Sequence, residues 1–252
     1  MNAEYWWQKN TETLADDHHV VTVDLRGHGL SGKTSENHTL AQYAHDIRHV
    51  VRSLNLEDVT AIGWSMGGAV VLTYLDQLGS DRLRAAGLVE TGPMLFPDAG
   101  WDHPTMGGLT PEAFEELVET IHSDRPAFAK QFISDMFADP PSTERIDEMY
   151  AETMKTPTSV ATAITRDVAE SDLRGVIPEI PIPTLLLYSE QSKVYPSDLG
   201  EWMHGQIPDS ELMLFPESGH CPFWEEPDEF NDAVTSFVEQ RADRDVETEG
   251  TE

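Results

Sequence analysis

The stretch Asp58-Val59-Thr60-Ala61-Ile62-Gly63-Trp64-Ser65-Met66-Gly67-Gly68 decides how the chain is read. Residues 58–62 form a strand-like run that feeds into Gly63-Trp64-Ser65-Met66-Gly67, a G-x-S-x-G pentapeptide. An apolar helical pattern (Ala69, Val70, Leu72, Leu75) follows at once. Strand, G-x-S-x-G and helix in that order is the context of a nucleophile elbow. Gly63 and Gly67 suit a turn too tight for side chains two positions either side of the serine. Ser65 Oγ is then expected at the strand end, with Met66 N–H at the helix start facing a developing oxyanion.

Outward from the elbow, strand-like and helical runs alternate. Residues 3–15 read as a helix and Val20–Asp24 as a short buried strand. A glycine-rich loop, Leu25 to Gly32, leads to a helical pattern from Thr39 to Asn55. After the elbow helix, Ala85 to Val89 is the next strand, with Glu90 at its carboxyl end. This alternation predicts an α/β fold, a mostly parallel sheet with helices on both faces. Residues 97–176 hold no convincing strand and about four helical patterns, punctuated by prolines, and are read as a helical cap. Strands return at Thr184–Tyr188 and Glu211–Phe215, then come Ser218-Gly219-His220 and a helix from Pro227 to Gln240. The expected division is a core of residues 1–92 and 177–240, a cap of 93–176, and a polar, disordered acidic tail of 241–252.

Composition excludes several classes. Net charge is −30, from 46 acidic and 16 basic residues, of which five are lysine. Phosphate contacts need clustered Lys and Arg, so nucleic acid is not an expected partner. Acids dispersed over the whole chain read as adaptation to a salt-rich cytoplasm, where screening offsets self-repulsion. The single Cys221 rules out an internal disulfide. No run reaches the ~18–20 apolar residues of a membrane span, and no signal peptide is visible. The reading is a soluble cytoplasmic protein of undetermined oligomeric state.

Ser65, then much later His220, each just past a strand, fits the Ser…acid…His order of one triad class. With Asp24-Leu25-Arg26-Gly27-His28-Gly29-Leu30-Ser31 and the elbow, these pieces resemble the α/β-hydrolase superfamily, in particular its capped esterase, lactonase and haloperoxidase-like members. The resemblance implies Ser65 as nucleophile and His220 as general base, with hydrolysis of a small ester, lactone or thioester through an acyl-serine and no cofactor or metal. The family's usual acid position is occupied here by Ser192, so the acid is sought at Glu90 or at Glu190. The family also has about three strands and a His-Gly oxyanion loop before the stretch resembling Glu4-Tyr5-Trp6-Trp7; the sequence as given starts after that loop. The expectation is therefore that Met66 N–H is kept and the second donor is missing. Trp64, Trp101 and Phe223 are candidate substrate contacts.

Three other readings compete. Gly27-His28-Gly29-Leu30-Ser31-Gly32-Lys33-Thr34 satisfies a P-loop pattern after a strand, but polar loop rather than helix follows it. His45 and His49 share a helix face as a potential metal pair, with no third ligand evident. A non-catalytic ligand-binding or signalling protein of the same fold keeps the pocket and drops the chemistry.

Overall fold

The computed structural model describes residues 1–96 and 101–249, with side chains as far as Arg241. Its centre is a four-stranded parallel sheet in the order β1 (Val59–Trp64), β2 (Leu83–Val89), β3 (Thr184–Ser189), β4 (Ser210–Phe215). Chain order and spatial order coincide, so every connection is a crossover between neighbours. Two short helices come first, α1 (Ala3–Trp6) and α2 (Thr11–Leu14), then α3 (Leu40–Ser53). The elbow helix α4 (Met66–Leu78) joins β1 to β2, and α9 (Ser197–Gln206) joins β3 to β4. Between β2 and β3 lie α5 (Pro111–Ser123), α6 (Arg125–Asp135), α7 (Thr143–Thr153) and α8 (Thr158–Glu170). The chain closes with α10 (Pro222–Glu225) and α11 (Pro227–Glu249).

The period of two along the central strands divides the core. Ala86 and Leu88 of β2, with Leu186 and Tyr188 of β3, pack on the face covered by α3, α4 and α9. Their neighbours Ala85, Val89, Leu185 and Leu187 point the other way, to Trp6, Phe223, Phe230 and Phe237. A strand buried on both faces reads as a continuous apolar run, which is why Leu185-Leu186-Leu187 shows no alternation.

Three expectations change, and one competing reading closes. The helix read over 3–15 is two single turns, broken where Asn10 turns its amide to the Phe223 carbonyl and to Asn231 Oδ1, both at 2.9 Å. Val20–Asp24 belongs to no ladder: β1 is the edge strand, and Val20 to Val23 make no backbone hydrogen bond among the described residues. β-branched residues supply strand propensity, yet a strand also needs a neighbour within ~4.8 Å. Third, α11 continues to Glu249, past the point where polar composition predicts a disordered tail. Arg241 anchors it, reaching Asp209 at 3.1 Å and Glu211 at 2.8 Å. Residues 250–252 lie outside the described residues. Finally, the P-loop pattern is closed on itself. Lys33 Nζ donates to the carbonyls of His28, Gly29 and Ser31 at 2.6–2.9 Å, so no cation faces outward for phosphate.

Candidate active site

All three sheet-borne candidates sit at the carboxyl ends of parallel strands of one sheet, where open α/β sheets bind ligands. Register aligns those ends: Trp64 pairs with Val89, Val89 with Leu187, and Ser189 with Phe215. Ser65 follows β1, Glu90 follows β2, and His220 follows β4 after a short turn.

Ser65 stands at φ 52°, ψ −120°, between the last strand residue and the first turn of α4. A non-glycine residue at positive φ is strained, and strain of this kind collects at functional sites. The surroundings enforce it. A Cβ on Gly63 would lie 2.3 Å from the Gly67 carbonyl oxygen, and one on Gly68 would lie 2.5 Å from the Thr91 side chain. Gly67, by contrast, has open space around it. The tight pair is thus Gly63 and Gly68, rather than Gly63 and Gly67 as the motif suggests. Thr91 Oγ1 donates to the Ser65 carbonyl at 2.8 Å and ties the elbow to the next strand end. Met66 N–H is at the first position of α4, where no intrahelical acceptor exists for it.

Glu90 has a second strained backbone, φ 44°, one strand away. Its carboxylate is wholly buried and takes three polar contacts. Oε1 accepts from Ser189 N–H at 2.8 Å. Oε2 accepts from Ser192 Oγ at 2.6 Å and lies 3.1 Å from His220 Nδ1. Ser192 Oγ itself accepts the N–H groups of Val194 and Tyr195, both at 3.3 Å, which leaves its one proton for Glu90. Ser192 stands where the resemblance expects an acid, and it holds the acid that comes from β2. Glu190 is exposed, and its backbone N–H pairs with the Phe215 carbonyl.

With Glu90 ionised, Nδ1 of His220 carries the hydrogen and Nε2 is left as the acceptor. The imidazole is 1% exposed and lines the same cavity as Ser65. Its ring packs 5.3 Å from Trp64 and 5.8 Å from Tyr195. Its backbone is held on both sides: Trp64 Nε1 donates to the His220 carbonyl at 2.7 Å, and His220 N–H donates to the Met136 carbonyl at 2.6 Å. Glu225 adds a third tie, accepting from Gly219 N–H at 2.8 Å and from Ala138 N–H at 2.9 Å. Burial raises the Glu225 carboxyl to about 7 against the lowering effect of those bonds. The histidine turn is therefore stitched to residues 136–138, just past α6.

The cavity has a volume of about 770 Å³ and runs from Ser65 along the outer edge of β1, between that strand and residues 20–25. Trp64 and Met66 lie in its walls. Trp101 and Phe223 do not: Trp101 stacks edge-on against Trp202 at 5.1 Å, and Phe223 packs between Trp7 and Trp64 at 4.4 and 4.9 Å. His28, which motif reading leaves in a loop, is also in the wall. Burial pushes its imidazole down to about 3, so it is neutral at pH 7. His45 and His49 are both exposed, and the intervening Asp46 pairs bidentately with Arg26 at 2.6 and 2.8 Å.

Comparison with known proteins identifies the fold. The family model described as the alpha/beta hydrolase fold matches residues 1–227. A pimeloyl-[acyl-carrier protein] methyl ester esterase of Vibrio cholerae is 25% identical over 241 residues, 92% of this chain and 88% of that protein. Among solved structures, an esterase from Exiguobacterium antarcticum is 27% identical, with a TM-score of 0.88 over 94% of this chain and 88% of its own. A bromoperoxidase from Bacillus anthracis shares the fold at 24% identity, with a TM-score of 0.86 and the same coverage.

Proposed function

The chain belongs to the α/β-hydrolase fold family, and from that premise we propose that it hydrolyses carboxylic esters through an acyl-Ser65 intermediate. Ser65 Oγ attacks the ester carbonyl carbon while His220 Nε2 takes its proton. The carbonyl oxygen, now anionic, accepts from Met66 N–H. Collapse breaks the carbon–alkoxy bond, and His220 returns the proton to the departing alcohol. Water then enters, gives a proton to His220 and attacks the acyl carbon. Release of the acid returns the proton to Ser65. Glu90 stays ionised throughout, fixing the tautomer and balancing the imidazolium. Both named esterases carry this function class, and a small ester is the substrate it implies here.

The observation that carries the reading is the buried Glu90–His220 contact, opening on the same cavity as a serine held at positive φ. Steady-state assay on p-nitrophenyl esters tests it. Turnover should fall by about 10⁶-fold in Ser65→Ala, the scale seen when a triad serine is removed. Equal rates in the two proteins would reject the role of Ser65. Ligand binding without any turnover would favour the non-catalytic reading.

A further inference from the structure

The cap side of the cavity is walled mainly by apolar residues such as Phe128, Phe132 and Ile133. Arg125, the first residue of α6, breaks that pattern. It lines the cavity at 8% exposure. Its guanidinium donates Nη1 to Thr158 Oγ1 at 3.2 Å and Nη2, at a long 3.5 Å, to the Thr153 carbonyl. Both partners are neutral, and no carboxylate pairs with it among the described residues. In a chain with 46 acidic side chains, a buried cation without one is a conspicuous exception. Leaving such a charge unpaired costs free energy that an anionic ligand would recover.

A second group points to the same place. Thr156 is 3% exposed and lines the cavity, and its hydroxyl has no hydrogen-bond partner among the described residues. Its backbone N–H donates to the Thr153 carbonyl at 3.2 Å, the same oxygen that receives Arg125 Nη2. One carbonyl thus joins an under-paired guanidinium to a residue whose buried hydroxyl is an orphan, and both residues line the Ser65 cavity. A guanidinium has five N–H donors in a planar fork, and two are used here.

We propose that Arg125 and Thr156 form an anion subsite that selects esters bearing a carboxylate away from the scissile bond. It rests on the ester-hydrolase reading and names the substrate class of that site. One guanidinium and one hydroxyl match a monoanionic carboxylate; a phosphate dianion would need more charge to offset its desolvation. The alternative is purely architectural, with Arg125 tying the end of α7 to the start of α8.

The test compares kcat/KM for p-nitrophenyl hydrogen succinate, adipate and suberate with neutral p-nitrophenyl alkanoates of equal length. In Arg125→Gln the anionic-to-neutral ratio should drop ~10- to 100-fold, chiefly through KM, the range of one charged hydrogen bond. Thr156→Val should lower it several-fold. An architectural role would lower both substrate sets together and leave the ratio unchanged, which overturns the proposal. Arg125→Lys, which keeps the charge and loses the fork, guards against misfolding and should show a smaller fall in the same ratio. A calorimetric titration of Ser65→Ala protein with adipic acid monoamide needs no turnover. Binding at least 10-fold weaker once Arg125→Gln is added supports the subsite even if the esterase reading fails, and equal binding rejects it.

Discussion

The two flanks of β1 are built to different standards. On the side of β2, β3 and β4, the strands are laddered and their carboxyl ends aligned. Both carboxylate oxygens of Glu90 have partners there, and His220 is held through ring and backbone. On the other side, β1 is an edge. Residues 20–25 make no hydrogen bond to it among the described residues, and a cavity lies between the two. In the mechanism we propose, the elbow takes its acid–base machinery wholly from the laddered flank, and charge stabilisation is assigned to Met66 N–H, which belongs to the elbow itself. Proton transfer needs groups fixed within a few tenths of an ångström, and laddered strand ends provide that fixity. An unpaired edge does not.

Substitution of the acid probes the laddered flank with the largest expected effect. Glu90→Gln should lower kcat by ~10⁴, the cost of a lost carboxylate partner to a catalytic histidine. Glu190→Gln should leave kcat nearly intact. Adding Ser192→Asp to Glu90→Gln should recover part of the loss, because Ser192 lies within 2.6 Å of the carboxylate it would replace. No recovery, or the reverse order of the two glutamates, would assign the acid elsewhere.

Hydrogen exchange reads the contrast directly on β1. Ser65 N–H donates to the Val89 carbonyl, so by the period of two the amides of Gly63 and Ala61 also face β2. Those of Thr60, Ile62 and Trp64 face the open edge. The edge-facing set should exchange at least ~10²-fold faster than the other. Equal protection would mean that the edge is covered in solution.

Much of this organisation is legible in the residues themselves. The elbow, the order of strands and the capped helices come from local patterns: Thr39 and Thr110 each cap a helix through a backbone N–H of its first turn. Glu90 is recognisable only as one of two acids, because choosing between them requires knowing that β2 lies between β1 and β3. Residues 20–24 have the composition of a strand but no neighbour, and composition cannot report a missing neighbour. Arg125 looks like one more surface charge on a cap helix. Only tertiary packing shows it facing the cavity with no carboxylate partner among the described residues.

Bulk charge gives a broader prediction. If the net charge of −30 reflects adaptation to salt, as we propose, the melting temperature should rise steadily from dilute buffer to molar KCl. At 0.1 M the screening length is already ~10 Å, so most of the early gain comes from distant pairs. A flat profile would reject that adaptation.

The smallest expected effect concerns the tie between the histidine turn and residues 136–138. Glu225 ionises near 4.5 when free and at about 7 when folded. Between those values the folded state holds a proton that the unfolded chain has lost, so this group's contribution falls as pH rises from 4.5 to 7. Lys9 and Glu226 act on the same carboxylate, the first favouring its charge and the second opposing it. Relative to Glu225→Gln, the wild-type melting temperature should therefore decline by a few degrees from pH 5 to pH 7. A constant difference would place the titration on another group.

We propose above all that Ser65 is a nucleophile armed by the Glu90–His220 pair. A fluorophosphonate probe followed by peptide mass mapping tests it most directly, since stoichiometric attack on phosphorus needs no knowledge of the substrate. A single adduct on Ser65 is expected, absent from Ser65→Ala and formed at least ~10²-fold more slowly in Glu90→Gln. Labelling that persists in Ser65→Ala, or that proceeds at the same rate without Glu90, would contradict it.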